Sequence, residues 1–326
     1  MKLGFYATLG PACCEAEVLA RLIDAGMTGA RLNLSHSAIE ECEPWINALF
    51  AAERLTGVKQ ELLMDMQGPE LRIGELPLPV ELKTGEKLPL LSAVRTLMLP
   101  TEVSQAIEDG HGLLLDDGKL LLEVSGDSLI VKRGGRLSGK KSVAVMGAKI
   151  DMPTMTERDK RSVALADSYG VTGLMQPFVR GRRDIETVRS EIRKNGGGLK
   201  LFAKVENLEG VSRLPEFAAL CDMIVIARGD LGNSMPLWEL PGVQKRISSL
   251  CRRENVPFLV VTELLASMHG SPVPTRAEVS DIYNAVADGA SALMLTGETA
   301  VGKYPVEAMK YLVKTASSYF ETEQGQ

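Results

Sequence analysis

"GGGLKLFAKVENLEGV", residues Gly196 to Val211, begins as an apolar run and then sets Lys204 and Glu206 where more core residues would continue it. The run has strand character, and the glycines before it read as a helix-to-strand turn, not a dinucleotide-binding loop. Successive side chains of a strand alternate faces, so Lys204 and Glu206 project the same way. Seven more short apolar runs resemble this one: "LGFYATLG" near Leu3, "GARLNLSH" near Gly29, "ELLMDMQG" near Glu61, "GVTGLMQPF" near Gly170, "CDMIVIARGD" near Cys221, "VPFLVVTE" near Val256 and "GASALMLTGE" near Gly289. Helical stretches such as "EAEVLARLIDAG" and "RDIETVRSEIRKNG" lie between them. Strands alternating with helices imply parallel pairing through right-handed crossovers, and eight such units predict a closed (β/α)8 barrel of the TIM type.

One interval breaks the rhythm. Residues 74–147 carry short alternating runs joined by turn dipeptides such as Asp117-Gly118, a strong hairpin signal. The sequence therefore predicts a barrel over 1–73 and 148–326, with a small all-β lid domain inserted after strand three.

Composition narrows the function. The 326 residues are 45% apolar and carry a net charge of -5, with no basic run interleaved with aromatics, so a nucleic-acid surface is not expected. No apolar run reaches the roughly 18 residues of a membrane span, and the start lacks a signal peptide, so a cytoplasmic protein without membrane contact is expected. Five cysteines without CxxC spacing argue for reduced thiols rather than disulfides or zinc.

In a barrel of this type the residues that finish the strands converge on the active face. Strand two ends with Arg31, Asn33 and Ser35 at alternating positions. Strand three brings Asp65, strand five Lys204 and Glu206, strand six Arg228 and Asp230, strand seven Thr262, and strand eight Thr296 and Glu298. Glu206 and Asp230 end adjacent strands and would repel unless a cation joins them; magnesium, bound by one or two carboxylates plus substrate oxygens, suits the pair. The same residues also fit a buried Lys204–Glu206 ion pair with Asp230 capping the next helix. Arg31 offers a planar fork for phosphate and Lys204 a compact charge, so with a divalent ion they match the positive clamp of phosphoryl transfer. Asn33, Ser35 and Asp65 include no soft ligand and suit a hard cation more than zinc.

The chain resembles the pyruvate kinase family through "ATLGPA", "RLNLSHS", "MDMQGPELRIG", "LLDDGKL", "AKVENLEGV", "IARGDLG", "PTRAEVSD" and "LTGETAVGKYPVEA". The resemblance implies magnesium- or manganese-dependent transfer between phosphoenolpyruvate and ADP, giving pyruvate and ATP. It implies that Lys204, Arg31 and Thr262 are catalytic, with Thr262 over the methyl face of the enolate. Gly229, Asp230, Leu231 and Thr262 would bind substrate, and Arg31, Arg72, His36 and Lys141 the nucleotide phosphates. Glu206 and Asp230 would hold the divalent ion, and Asn33, Ser35, Asp65 and Met66 a potassium ion. A lyase or transferase using the same enolate site, or a silent phosphoenolpyruvate-binding regulator, are the alternatives.

The chain also departs from the family pattern. Met66 and Gln67 stand where Thr-Lys is usual, Pro177 and Thr296 replace serines, and Glu263 replaces a glutamine. The family's C-terminal effector domain is expected to be missing, and with it sugar-phosphate activation. "PTRAEVSD" resembles the family's barrel-to-barrel contact, so a homodimer is expected. Gln67 and Ile73 resemble potassium-independent members, yet Glu70 stands where those carry lysine. An uncompensated Asp65 beside Glu70 would then keep turnover dependent on potassium.

Overall fold

The strands expected from sequence close on one another. In the computed structural model, which describes residues 3–35, 37–116, 118–148 and 150–324, they are β1 (Gly4–Thr8), β2 (Gly29–Asn33), β3 (Glu61–Asp65), β4 (Gly173–Gln176), β5 (Lys200–Val205), β6 (Met223–Ala227), β7 (Phe258–Val261) and β8 (Ala292–Leu295). All pair in parallel, and β1 pairs with both β2 and β8, so the sheet has no edge. The register puts Asn33 opposite Asp65 and Lys204 opposite Val225.

The strands are buried on both faces, which is why they read as continuous apolar runs. Inside the barrel, Leu63, Met175, Phe202, Val225, Leu259 and Met294 form the packed interior. Tyr6 joins them, and its hydroxyl donates to Glu61. A Cβ on Gly29 would fall 2.5 Å from the Tyr6 ring, so glycine is required where the ring crosses β2. Outside, the helices bury one stripe each. In the helix Arg182–Lys194 the buried Ile185, Val188 and Ile192 recur at helical spacing while the opposite face is charged. Each fully buried side chain of this kind contributes about 1.5–3 kcal/mol, so Ile185→Ala would cost about 2–5 kcal/mol.

Two compact units divide the chain, Met1–Gly68 with Thr154–Gln326, and Pro69–Pro153. The inserted unit is longer at both ends than the expected 74–147. Its entering and leaving segments zip together: Ile73 N donates to Lys141 O and Val143 N to Leu71 O, and Ile73 joins that unit's own core. A five-stranded antiparallel sheet carries the unit, in the order Val143–Met146, Gly112–Leu115, Leu120–Ser125, Ser128–Arg133, Lys87–Pro89. The Asp-Gly hairpin pairs Leu115 with Leu120, and Gly118 takes a φ of 75°. Asp117 lies outside the described residues. The insertion is not all-β, because helices Leu90–Thr96 and Thr101–Ala106 interrupt it. Pro89 and Pro100 immediately precede them, where proline leaves no helical donor unpaired. The helices themselves read "LLSAVRT" and "TEVSQA", which include good helix formers and no strand alternation. Among the described residues no helix is long and apolar enough to cross a membrane.

Candidate active site

Arg31, on β2, reaches across to the end of β3. Its Nε and Nη2 donate to Asp65 Oδ2 at 2.9 and 2.6 Å, and Nη1 to Thr8 Oγ1 at 3.0 Å. Lys204 Nζ, on β5, meets Asp65 at 3.0 Å and Glu206 Oε1 at 2.9 Å. The Asp65 carboxylate thus lies between two cations, and its side chain is only 1% exposed. Burial raises its pKa, but Lys204 and Arg31 outweigh that and hold it below the ordinary value. Burial disfavours the Lys204 ammonium, and Asp65 and Glu206 together more than offset this, so it stays protonated.

Glu206 behaves differently, although it shares Lys204. Burial pushes its carboxyl up to about 7; Lys204 opposes this, but Asp230 and Asp65 reinforce it. Its other oxygen accepts the Phe178 N–H at 2.8 Å, and a φ of 51° at Phe178 accompanies that bond. The Lys204–Glu206 ion pair anticipated from spacing is present. The cap anticipated for Asp230 is not: the helix Arg228–Asn233 starts one residue after Ala227 at the N-cap, with no side-chain cap bond, and Asp230 lies inside its first turn. Two carboxylates close enough to raise Glu206 form a hard oxygen pair, and that chemistry fits a magnesium or manganese ion.

Thr262 follows β7 in a left-handed backbone conformation, φ 76°, and Glu263 repeats it at 54°. A β-branched residue there is strained by about 1–3 kcal/mol. Its surroundings hold it. Thr262 Oγ1 accepts the Gly229 N–H at 2.8 Å and donates to Val261 O at 2.5 Å, while Arg228 grips the Thr262 carbonyl at 2.7 Å. Arg228 is in turn paired with Asp281 at 2.6 Å. Leu231, in the same short helix as Gly229, is buried.

The oxygen set proposed for potassium differs from its sequence reading. Asn33 ends β2 and its Oδ1 accepts the Ser35 N–H at 3.2 Å, so the chain turns and Ser35 leaves the alternation that Arg31 and Asn33 share. The Met66 side chain is buried in the apolar core, which leaves only its carbonyl as a ligand. Asp65 is not uncompensated, since Arg31 and Lys204 both bind it. Glu70 pairs with Arg72 at 2.7 Å. The charge argument for potassium therefore falls, and what remains is a set of oxygens whose new members, Asn33 Oδ1, Ser35 Oγ and the Met66 carbonyl, are neutral. As ligand types, such oxygens suit a hard cation.

Arg72 and Lys141 lie in the inserted unit, brought together by the Arg72–Ser142 bridge. Each has protein partners: Arg72 Nη1 donates to Lys140 O at 2.9 Å, and Lys141 Nζ meets Asp116 at 2.9 Å. His36 lies outside the described residues. Sequence reasoning missed Arg158, Asp159 and Asp281. A capping box, Thr156 with Asp159, marks the start of the helix Glu157–Leu165 and was legible as "TERD". Its long-range bonds, to residues some ninety positions earlier, leave no local signal.

The barrel agrees with the comparisons. A family model described as pyruvate kinase, barrel domain, matches residues 2–309. The chain belongs to the pyruvate kinase family. It is 38% identical to the pyruvate kinase of Aeropyrum pernix, 39% to that of Methylorubrum extorquens and 37% to that of Geobacillus stearothermophilus. The alignments cover 97%, 93% and 99% of this chain, and 70%, 65% and 57% of those pyruvate kinases, so the chain spans only part of their length.

Proposed function

We propose that the chain transfers a phosphoryl group between phosphoenolpyruvate and a nucleoside diphosphate, forming pyruvate and a nucleoside triphosphate. The observation that carries this reading is the Lys204 ammonium, buried and fixed between Asp65 and Glu206 beside the Arg31 guanidinium. Phosphoryl transfer needs little covalent help from a protein, and much preorganised positive charge where the group passes. In the forward direction the bond from phosphorus to the enol oxygen breaks and one to the terminal oxygen of the nucleotide forms. The enolate then takes a proton at its methylene carbon.

Lys204 and Arg31 stabilise the charge of the moving group, and Asp65 keeps both side chains from swinging away. Glu206 and Asp230 would hold a magnesium or manganese ion, which when bound neutralises charge on substrate oxygens. Thr262, with its hydroxyl oriented by Gly229 and Val261, is assigned to the methylene face of the enolate, and the Gly229–Leu231 backbone to the substrate carboxylate. Arg72 and Lys141 would take the nucleotide phosphates, which must displace their present acidic partners. Asn33, Ser35, Asp65 and the Met66 carbonyl would take potassium. A homodimer working in the cytoplasm completes the proposal. The test is pyruvate formation by the purified chain from phosphoenolpyruvate, ADP and magnesium. No pyruvate above the enzyme-free control would reject the reading.

A further inference from the structure

The strand ladder between β2 and β3 stops at the site. Its last rung is Leu34 N donating to Asp65 O at 2.8 Å, after which the two chains diverge. One continues through Ser35, and the other through Met66, Gln67 and Gly68 to the unit boundary. Beyond the ladder, one side chain spans both. Arg158, in the first turn of the helix Glu157–Leu165, donates from Nη2 to Leu34 O at 3.1 Å, Ser35 O at 3.0 Å and Gln67 Oε1 at 2.6 Å. Its neighbour Asp159, 2% exposed, accepts from Gln67 N at 2.9 Å and Gly68 N at 3.0 Å. Thr156 fixes Asp159 through its N–H and hydroxyl, both at 2.8 Å.

We propose that Arg158 is a positioning residue for the reaction, a guanidinium latch that sets the spacing between the ends of β2 and β3; this rests on the phosphotransfer reading above. Those ends carry the parts that must not move. Arg31 comes from β2 and Asp65 from β3, and the two Arg31 bonds to Asp65 Oδ2, together with the Asp65–Lys204 bond, depend on that spacing. The turn at Asn33 ends on the Ser35 whose carbonyl Arg158 holds. The acceptors of Arg158 Nη2 are two backbone carbonyls and a side-chain amide, so the latch is built from hydrogen-bond geometry on two loops. All three bonds leave one nitrogen, whose two hydrogens lie in the rigid guanidinium plane, so the plane's orientation sets where the three acceptors sit.

The test compares the wild-type chain with Arg158→Met and Arg158→Lys, reading steady-state kinetics and hydrogen exchange at the Gln67 and Gly68 amides. With Arg158→Met, kcat should fall roughly 100-fold, the scale of loss from a small misplacement of reacting groups. The KM for phosphoenolpyruvate should change little. Exchange at the two amides should quicken while barrel-strand amides stay protected. Added guanidinium ion, well below denaturing concentration, should restore part of kcat where equal sodium chloride does not, and Arg158→Lys should be intermediate. Unchanged exchange, or faster exchange with full turnover, overturns the proposal. If Arg158→Met does not fold, Arg158→Lys is read by the same two criteria. A wild-type chain that makes no pyruvate overturns the phosphotransfer reading instead, and exchange at Gln67 and Gly68 still decides whether Arg158, through Gln67 Oε1, steadies the segment whose amides Asp159 holds.

Discussion

Replacing Asp65 by asparagine removes one charge and almost no volume from a site that is 1% exposed. Two cations lose their common partner, because Arg31 meets Asp65 at 2.6 Å and Lys204 meets it at 3.0 Å. Removing one member of a buried ion pair generally costs about 3–5 kcal/mol, since an uncompensated charge is left behind. Here the loss is moderated: Lys204 keeps Glu206 at 2.9 Å, Arg31 keeps Thr8 Oγ1 at 3.0 Å, and the asparagine Oδ1 still accepts a hydrogen bond. The low end is therefore expected, about 3 kcal/mol. Urea unfolding followed by tryptophan emission measures it, with Arg31→Met and the double variant completing a cycle. The double variant should lose less than the sum of the two, with coupling of roughly 0.5–3 kcal/mol. The acid side rests on the same geometry. Because the folded pKa of Asp65 is depressed, its contribution is complete above the unfolded carboxylate value of about 3.9, and is lost only as pH falls through the lower folded value. A cost under about 1 kcal/mol, or strict additivity in the cycle, would refute the claim that Asp65 neutralises both cations.

Lys204→Met should lower turnover by on the order of 100-fold or more, because it deletes charge stabilisation that grows in the transition state; manganese titration of the variant should still show binding, and near-normal turnover would exclude Lys204 from the chemistry. Manganese affinity should rise as pH increases through about 7, where Glu206 loses its proton. In Glu206→Gln that step should vanish along with most of the affinity, whereas a profile flat in the wild type would count against Glu206 as a ligand. For an acid with a raised pKa the sign on stability is opposite to that of Asp65, so between the ordinary carboxylate value and about 7 the unliganded fold loses stability as pH rises. Turnover should be faster in potassium chloride than in tetramethylammonium chloride at equal ionic strength, and equal rates would remove potassium from the site.

The barrel was readable because strands buried on both faces leave uninterrupted apolar runs, and "FAKV" and "MIVIA" differ sharply from the helices around them. The two helices of the insertion were hidden by their length: seven and six residues are too few for a period to declare itself. The cationic and acidic members of the site were legible as types at strand ends. Their pairing was not, because alternation tells which face Lys204 takes but not that Asp65, two strands away around the barrel, will be its partner. The same limit produced the mistaken picture of an uncompensated Asp65. Arg158 was illegible for a plainer reason, since its partners Leu34, Ser35 and Gln67 lie 124, 123 and 91 residues away in sequence.

Charge counting separates the carboxylates of the site. Arg31 and Lys204 face three carboxylates, Asp65, Glu206 and Asp230, and the protein resolves the excess unevenly. Asp65 takes both cations and stays ionised, whereas Glu206, sharing Lys204 and pressed by Asp230, is the group driven toward protonation. The repulsion between Glu206 and Asp230, added to burial, is what raises Glu206. Protonation of Glu206 relieves it at the cost of the ligand, and a divalent cation relieves it while keeping both carboxylates ionised. Only the second outcome leaves the cluster net positive, as an anionic phosphoryl group requires. Burial first, and the neighbouring Asp230 and Asp65 with it, raise the Glu206 pKa, and Glu206 and Asp230 both carry the hard oxygen chemistry that suits a divalent cation.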